Sequence, residues 1–145
     1  MGLQDVDELI SKLVEAAVKD VVGRVGSTGT GVLDISSEEE FNRLLSSNKY
    51  VVVCFYKSEC PACKSYIPTF ESVSKDFKDV ALFVKINTKN LKSVSKKYNV
   101  IAIPTTVVFV DGSEVSRYEG SMSSMKLTTF LIASGLKRIS GSKGV

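Results

Sequence analysis

The chain has 145 residues, of which 43% are hydrophobic and 24% charged. This composition is typical of one globular domain with an appendage, and it excludes a wholly disordered chain. No uninterrupted apolar run approaches the roughly 20 residues that a membrane-spanning helix needs. The net charge is +3, with 19 basic residues scattered among 16 acidic ones. Such scattering argues against the concentrated basic surface of a nucleic-acid-binding protein.

The chain contains no histidine and three cysteines. A histidine-dependent catalytic triad, an imidazole base and a histidine-ligated metal are therefore excluded, and three cysteines are too few for a disulfide-stapled secreted scaffold. Residues 1–7 carry two Asp and no basic residue, unlike a secretory signal or a mitochondrial transit peptide. We therefore expect a cytoplasmic protein, in which a close pair of cysteines serves catalysis or metal binding.

Residues 1–26 are predicted to form an amphipathic helical extension, because apolar residues from Val6 to Val25 recur at helical spacing. The Gly- and Ser-rich residues 27–31 are predicted to be a flexible linker. The helix has three open uses: packing on the main domain, docking a partner or self-association through residues 6–25, and binding a membrane surface. Five acidic residues against three basic ones disfavour the membrane.

Strand and helix patterns alternate between residues 32 and 136. The predicted strands are 32–35, 50–56, 80–86, 105–110 and 114–118. The predicted helices begin at Ser37, span 60–77 and 91–98, and run from Ser121 or Ser123 to about 134. Ser37 and Glu40 form a capping-box pattern, and Asn99 is predicted to stop the third helix in a left-handed conformation. This order predicts an α/β domain with a central mixed sheet, parallel first and antiparallel at the end, flanked by helices on both faces. Residues 137–145 are predicted to be a flexible tail.

A pair of cysteines marks the predicted site. Cys60-Pro61-Ala62-Cys63 follows a buried strand and opens a helix, where two cysteines at this spacing lie side by side and can close a disulfide. Helix-end amides and the helix dipole favour a thiolate at Cys60, whereas Cys63 lies one turn further in and is shielded. We expect Cys60 to attack a substrate disulfide and Cys63 to resolve the mixed disulfide. Pro61 suits the first helical turn, which needs no N–H there.

Three other uses of this pair stay open: zinc held by one chain, zinc or an iron–sulfur cluster held between subunits, and a purely structural disulfide. A metal site usually needs a second C-x-x-C or histidines, and the chain has neither. We therefore predict no metal at the pair. No bound organic cofactor is expected either, because a dithiol carries the electrons itself.

Several motifs resemble the thioredoxin family over about residues 32–136. A buried strand leads into the C-x-x-C, Pro68 follows Cys63 by five residues, Ile103-Pro104-Thr105 matches the family's Ile-Pro-Thr, and Asp111-Gly112 and Gly120 match its hairpin and later glycine. The resemblance implies a thioredoxin fold, reduction of disulfide-containing protein substrates, and recycling by thioredoxin reductase.

The resemblance also implies a cis peptide bond between Ile103 and Pro104, facing the cysteines. The backbone of Ile103 would then pair with an extended substrate segment. Together with Pro61, Ala62 and Thr105, these residues would shape the substrate groove. Without the family pattern, Pro104 would simply begin a strand.

Three residues depart from the family pattern or lose its context. Glu59 replaces the usual Trp before the first cysteine and should raise the pKa of Cys60. Cys54 stands where the family has a buried Asp thought to help deprotonate the resolving cysteine; it is a core residue or a third redox sulfur. Lys85 matches the lysine that pairs with that Asp, so it either lowers a nearby thiol pKa or is solvated.

These departures leave the redox potential open. Two functions other than disulfide reduction therefore stay open. One is a disulfide isomerase or oxidase. The other is a thioredoxin-fold binding module that docks through its N-terminal helix.

Overall fold

The computed structural model describes residues 31–137. The predicted helix at 6–25, the linker up to residue 30 and the tail beyond residue 137 lie outside this range. The strands are β1 (Val32–Ile35), β2 (Tyr50–Tyr56), β3 (Leu82–Asn87), β4 (Thr105–Val110) and β5 (Ser113–Glu119). The helices are α1 (Glu38–Ser47), α2 (Pro61–Ser74), α3 (Lys92–Lys97) and α4 (Ser124–Ala133), and a 3₁₀ turn (Lys75–Phe77) follows α2.

The five strands form one mixed sheet in the order β1-β3-β2-β4-β5. β3 pairs in parallel with both β1 and β2, whereas β4 pairs antiparallel with β2 and β5. The predicted mixed sheet, parallel first and antiparallel at the end, is therefore confirmed. β2 lies at the centre, and its residues Val51 to Phe55 are fully buried, as expected of a strand covered on both faces.

Helices cover both faces of the sheet, because alternate side chains of β2 enter two separate cores. On one face, Val52 and Cys54 pack with apolar residues of α2 and α4. On the other face, Val51, Val53 and Phe55 pack with residues of α1 and α3. The cysteine-bearing helix α2 contributes Tyr66, Phe70 and Val73 to the first core. There they lie with Leu127 and Leu131 of α4 and with Phe77 of the 3₁₀ turn.

Two element boundaries differ from the prediction by two residues or more. The helix predicted to reach residue 77 ends as an α-helix at Ser74, and its last turn tightens into the 3₁₀ turn, a common ending. The strand predicted from residue 80 begins at Leu82. The backbone N–H groups of Val80 and Ala81 both donate to the Phe77 carbonyl at 3.0 Å, so this segment turns before it can pair.

Left-handed backbone appears where the sequence predicts it. Asp111 and Gly112 have φ of 52° and 82°, the pair of positive angles that a two-residue hairpin of type I′ requires. Asn99, predicted to stop α3, has φ of 52°. These turns set the antiparallel return of β5 and the end of the short helix.

The start of α1 follows the predicted capping pattern in part. The Ser37 hydroxyl oxygen accepts from the Glu40 backbone N–H at 3.0 Å. The Glu40 carboxylate accepts from the Ser36 backbone N–H at 3.0 Å, one residue earlier than in the usual capping box.

Ser123, not Ser121, caps α4, because its hydroxyl oxygen accepts from the Lys126 backbone N–H at 3.1 Å. We expect Ser123→Ala to lower the free energy of unfolding by about 1 kcal/mol, because the helix loses its N-cap. The neighbouring Ser124→Ala is the matched control and should change it by less than about 0.5 kcal/mol. Urea unfolding of both variants checks this, and equal effects would contradict the assigned cap.

Candidate active site

Cys60 and Cys63 meet at the N-terminus of α2. β2 ends at Tyr56, three residues form a loop, and Cys60 is the N-cap residue of the helix. Its Sγ accepts from the Cys63 backbone N–H at 3.1 Å. Cys60 is partly exposed, whereas Cys63 is fully buried, and both are free thiols. The helix start thus places one accessible sulfur beside one shielded sulfur.

Burial makes Cys63 a weak acid. Removal from water is the largest cause and the side-chain hydrogen bond with Cys60 the next, and the pKa of Cys63 is raised to about 11. The Lys57 backbone acts in the opposite direction but does not outweigh them. Cys63 therefore carries its proton at neutral pH, and it must lose this proton before it can act as a nucleophile.

The Ile103–Pro104 peptide bond is cis, as the resemblance implies. Pro104 is buried, and its carbonyl accepts from the Gly120 backbone N–H at 2.7 Å. The Thr105 hydroxyl donates to the Ala102 carbonyl at 2.6 Å. Thr105 also begins β4 and pairs with Phe55 near the end of β2, so the proline loop lies at the end of the sheet from which the cysteine loop leaves.

The segment after β5 connects the proline loop to the cysteine helix. The Ser121 hydroxyl donates to the Ala62 carbonyl at 3.4 Å, and Ser121 directly follows Gly120, which holds Pro104. The sequence indicates Ser121 only as a candidate helix cap. Its contact with the first turn of α2 depends on the tertiary arrangement, and no local pattern signals it. Pro61 and Ala62 themselves are exposed beside Cys60.

Cys54 lies in the middle of β2, beside Lys85 of β3 and Thr106 of β4 in the strand register. Its side chain is fully buried. Burial raises its pKa far above the ordinary value, the nearby Cys63 thiol adds to the effect, and Lys85 opposes it. Cys54 is therefore a neutral thiol at physiological pH, and this environment favours the core interpretation of this residue.

Lys85 has an acidic partner that the sequence reasoning missed. Its Nζ lies 3.7 Å from a carboxylate oxygen of Glu71, and both side chains are about three-quarters buried, with exposures of 20% and 28%. Its Nζ also lies 5.6 Å from the centre of the Tyr56 ring. Glu71 follows Cys63 by about two helical turns and so lies near the same helix face. This spacing points to the site, but only the packing of α2 on the sheet makes Glu71 the partner of Lys85.

Glu59 lies at the surface beside a lysine. Its side chain is exposed, and its carboxylate lies 3.5 Å from Lys89 Nζ. Its own backbone amide and then Lys89 lower the pKa of Glu59, so it is ionised at neutral pH. Its expected influence on the pKa of Cys60 stays a prediction.

Within residues 31–137, the structure has no helix both long and apolar enough to span a membrane. The same stretch contains no group of three or more His, Cys, Asp or Glu side chains placed to hold a metal ion.

The buried thiols predict a loss of stability in alkali. The folded state keeps Cys54 protonated above its ordinary pKa of 9.0, whereas the unfolded chain releases that proton. The unfolded state then binds fewer protons, so the free energy of unfolding should fall as pH rises above about 9, by up to about 1.4 kcal/mol per unit for this thiol. Urea unfolding in excess reductant at pH 8, 9 and 10 measures this. Cys54→Ala should flatten the slope, and an unchanged slope would contradict the assignment.

Three comparisons bear on the family. A sequence profile of the thioredoxin family matches residues 32–133. The chain is 37% identical over 97 residues to thioredoxin of Mycoplasmoides gallisepticum, covering 67% of this chain and 96% of that protein. It is 36% identical over 84 residues to chloroplastic thioredoxin Y1 of Arabidopsis thaliana, covering 58% of this chain and about half, 49%, of that relative.

The fold comparison agrees. The structure of Plasmodium falciparum thioredoxin superposes with a TM-score of 0.66 at 28% identity, covering 70% of this chain and 97% of that one. The family profile spans most of the chain and contains both cysteines and the cis proline. The chain therefore belongs to the thioredoxin family of thiol–disulfide oxidoreductases.

Proposed function

We propose that this protein reduces disulfide bonds in substrate proteins through Cys60 and Cys63. One observation carries the proposal: the accessible Cys60 sulfur caps α2 and accepts the Cys63 N–H at 3.1 Å, while Cys63 itself is buried. A helix N-terminus stabilises negative charge on the capping sulfur. The exposed sulfur is thus the one suited to attack, and the buried sulfur is the one suited to resolve.

The reaction then proceeds in two exchanges. The Cys60 thiolate attacks one sulfur of the substrate disulfide, forming a Cys60–substrate bond and expelling the other substrate sulfur as a thiolate. Cys63, after losing its proton, attacks the Cys60 sulfur and expels the second substrate sulfur. The expelled thiolates take up two protons. Two electrons have passed to the substrate, and the protein holds a Cys60–Cys63 disulfide.

The surroundings support a role for the proline loop in substrate binding. Hydrogen bonds from Gly120 to Pro104 and from Ser121 to Ala62 tie the two loops together. We assign the substrate groove to Pro61, Ala62, Ile103, Pro104 and Thr105, with the Ile103 backbone pairing with an extended substrate segment.

The pKa-tuning roles of Glu59, Lys85 and Cys54 belong to the same proposal. Its support is that Lys85 pairs with the buried Cys54 in the strand register and lowers the pKa of that thiol, whereas the nearby Cys63 thiol raises it. Thioredoxin reductase would recycle the oxidised form, and the protein would work in the cytoplasm, although some relatives are chloroplastic. Self-association through residues 6–25 stays a prediction.

The redox midpoint of the Cys60–Cys63 pair tests the proposal. We would measure it by thiol trapping across dithiothreitol and glutathione buffers in a Cys54→Ala background, where only the two site cysteines remain. A value near the roughly −270 mV of thioredoxin supports a reductase, and one nearer the roughly −180 mV of disulfide isomerases supports an isomerase or oxidase. The absence of a reversible two-electron transition would overturn both.

A further inference from the structure

A groove opens beside the active site and runs along α3. It has a volume of about 570 Å³ and is lined by Glu59, the residue before Cys60, and by Ile103, the residue before the cis proline. Ile101 borders the same groove and is 85% exposed. The groove is therefore continuous with the catalytic cysteine loop and has an apolar wall on its proline side.

The charged lining of the groove is strongly biased towards one sign. Four lysines line it, Lys57, Lys89, Lys92 and Lys96, against one acidic residue, Glu59. All four lysines are exposed. The single carboxylate is already engaged, because it lies 3.5 Å from Lys89 Nζ. A cleft lined by one sign of charge concentrates ligands of the opposite sign.

A second, independent feature of the groove is an unsatisfied polar group. Thr88 lines the groove and is 8% exposed, and its hydroxyl has no hydrogen-bond partner among the residues that the structure describes. Its backbone N–H donates to the Tyr56 carbonyl at 2.9 Å, which holds it at the end of β2. A buried hydroxyl without a partner costs free energy. A ligand that forms a hydrogen bond with this hydroxyl, once the Thr88 side chain rotates towards the groove, therefore gains affinity.

We propose that this groove binds the segment of the substrate protein that flanks the target disulfide and selects segments carrying Asp or Glu. The proposal rests on the disulfide reductase function above. A peptide is a better occupant than a small anion, because the groove has a volume of about 570 Å³, has an apolar wall and reaches Glu59, the residue next to Cys60. Acidic side chains would pair with the lysines while the target cysteine reaches the nucleophile.

Three peptide disulfides that differ only in two flanking residues, both Glu, both Gln or both Lys, test the proposal. Each peptide's rate is divided by its rate with dithiothreitol, which removes differences in intrinsic reactivity. We expect kcat/KM to fall in the order Glu, Gln, Lys, by about 3- to 10-fold between Glu and Gln. Added NaCl should shrink the preference, because these charges are exposed to screening.

A pair of double variants localises the effect. In Lys92→Gln/Lys96→Gln, the ratio of kcat/KM for the Glu peptide over the Gln peptide should fall towards one. Lys75→Gln/Lys78→Gln removes two exposed lysines after α2, outside the groove, and should keep the full ratio. If both double variants lose the preference equally, net charge rather than the groove is responsible, and the proposal is overturned.

The remaining outcomes separate this inference from the function on which it rests. Equal kcat/KM for all three peptides overturns the inference and leaves the reductase function standing. Reduction of none of them overturns both. If sodium phosphate abolishes the preference more strongly than NaCl at equal ionic strength, the groove is a small-anion site, and the peptide assignment is wrong.

Discussion

Replacing Cys60 with serine is expected to abolish disulfide reduction, lowering kcat/KM by about 10³-fold or more. A hydroxyl in the N-cap position can still accept the Cys63 N–H, so the helix start is kept, but it cannot form the mixed disulfide. Reduction of a peptide disulfide, corrected for the rate of the reductant alone, measures the loss. Unchanged urea unfolding of the variant would show that chemistry rather than folding was removed.

Cys63→Ser is the matched partner of this experiment. The variant retains the accessible nucleophile but cannot resolve the mixed disulfide. It should therefore accumulate a covalent Cys60–substrate complex that is visible on a non-reducing gel. Cys60→Ser should accumulate none. If the Cys60 variant were the one that trapped substrate, the order of attack would be reversed.

Phe70→Ala is expected to cost about 3–5 kcal/mol of the free energy of unfolding, a large part of the 5–15 kcal/mol typical of a domain. The ring is fully buried, and its centre lies 6.0 Å from that of Tyr66 and 5.5 Å from that of Phe83. It joins α2 to the sheet, so its truncation leaves a cavity beneath the helix that carries both site cysteines. Urea unfolding at neutral pH in reductant measures the change.

A variant on the surface gives the comparison. Met125 on α4 is 78% exposed, and Met125→Ala should change stability by no more than about 0.5 kcal/mol. A cost below about 1 kcal/mol for Phe70→Ala would mean that this side of the sheet repacks easily, contrary to the close contacts of the ring.

Local patterns explain why much of the fold could be predicted. β2 has the predicted range, because a run of seven β-branched, aromatic and other apolar residues between polar ends identifies a buried strand without tertiary information. The hairpin at Asp111-Gly112 and the stop at Asn99 follow from residues that tolerate positive φ. The accessible and shielded cysteines follow from their places before and within the first turn of α2.

Pairings between distant segments could not be predicted in this way. The sequence identified Lys85 but not Glu71, which lies on another element and reaches it only when α2 packs on the sheet. The bond from Ser121 to Ala62 spans 59 residues. The start of β3 also depended on Phe77, whose carbonyl captures the two N–H groups that precede the strand.

The sequence by itself determined the family, the strand and helix order and the pair of cysteines, because each depends on residue type and spacing along the chain. Only the tertiary structure decided the partner of Lys85, the tie between the proline and cysteine loops, and the lysine-lined groove that Thr88 borders. These features combine side chains from several elements, and their distances exist only after the helices have packed on both faces of the sheet.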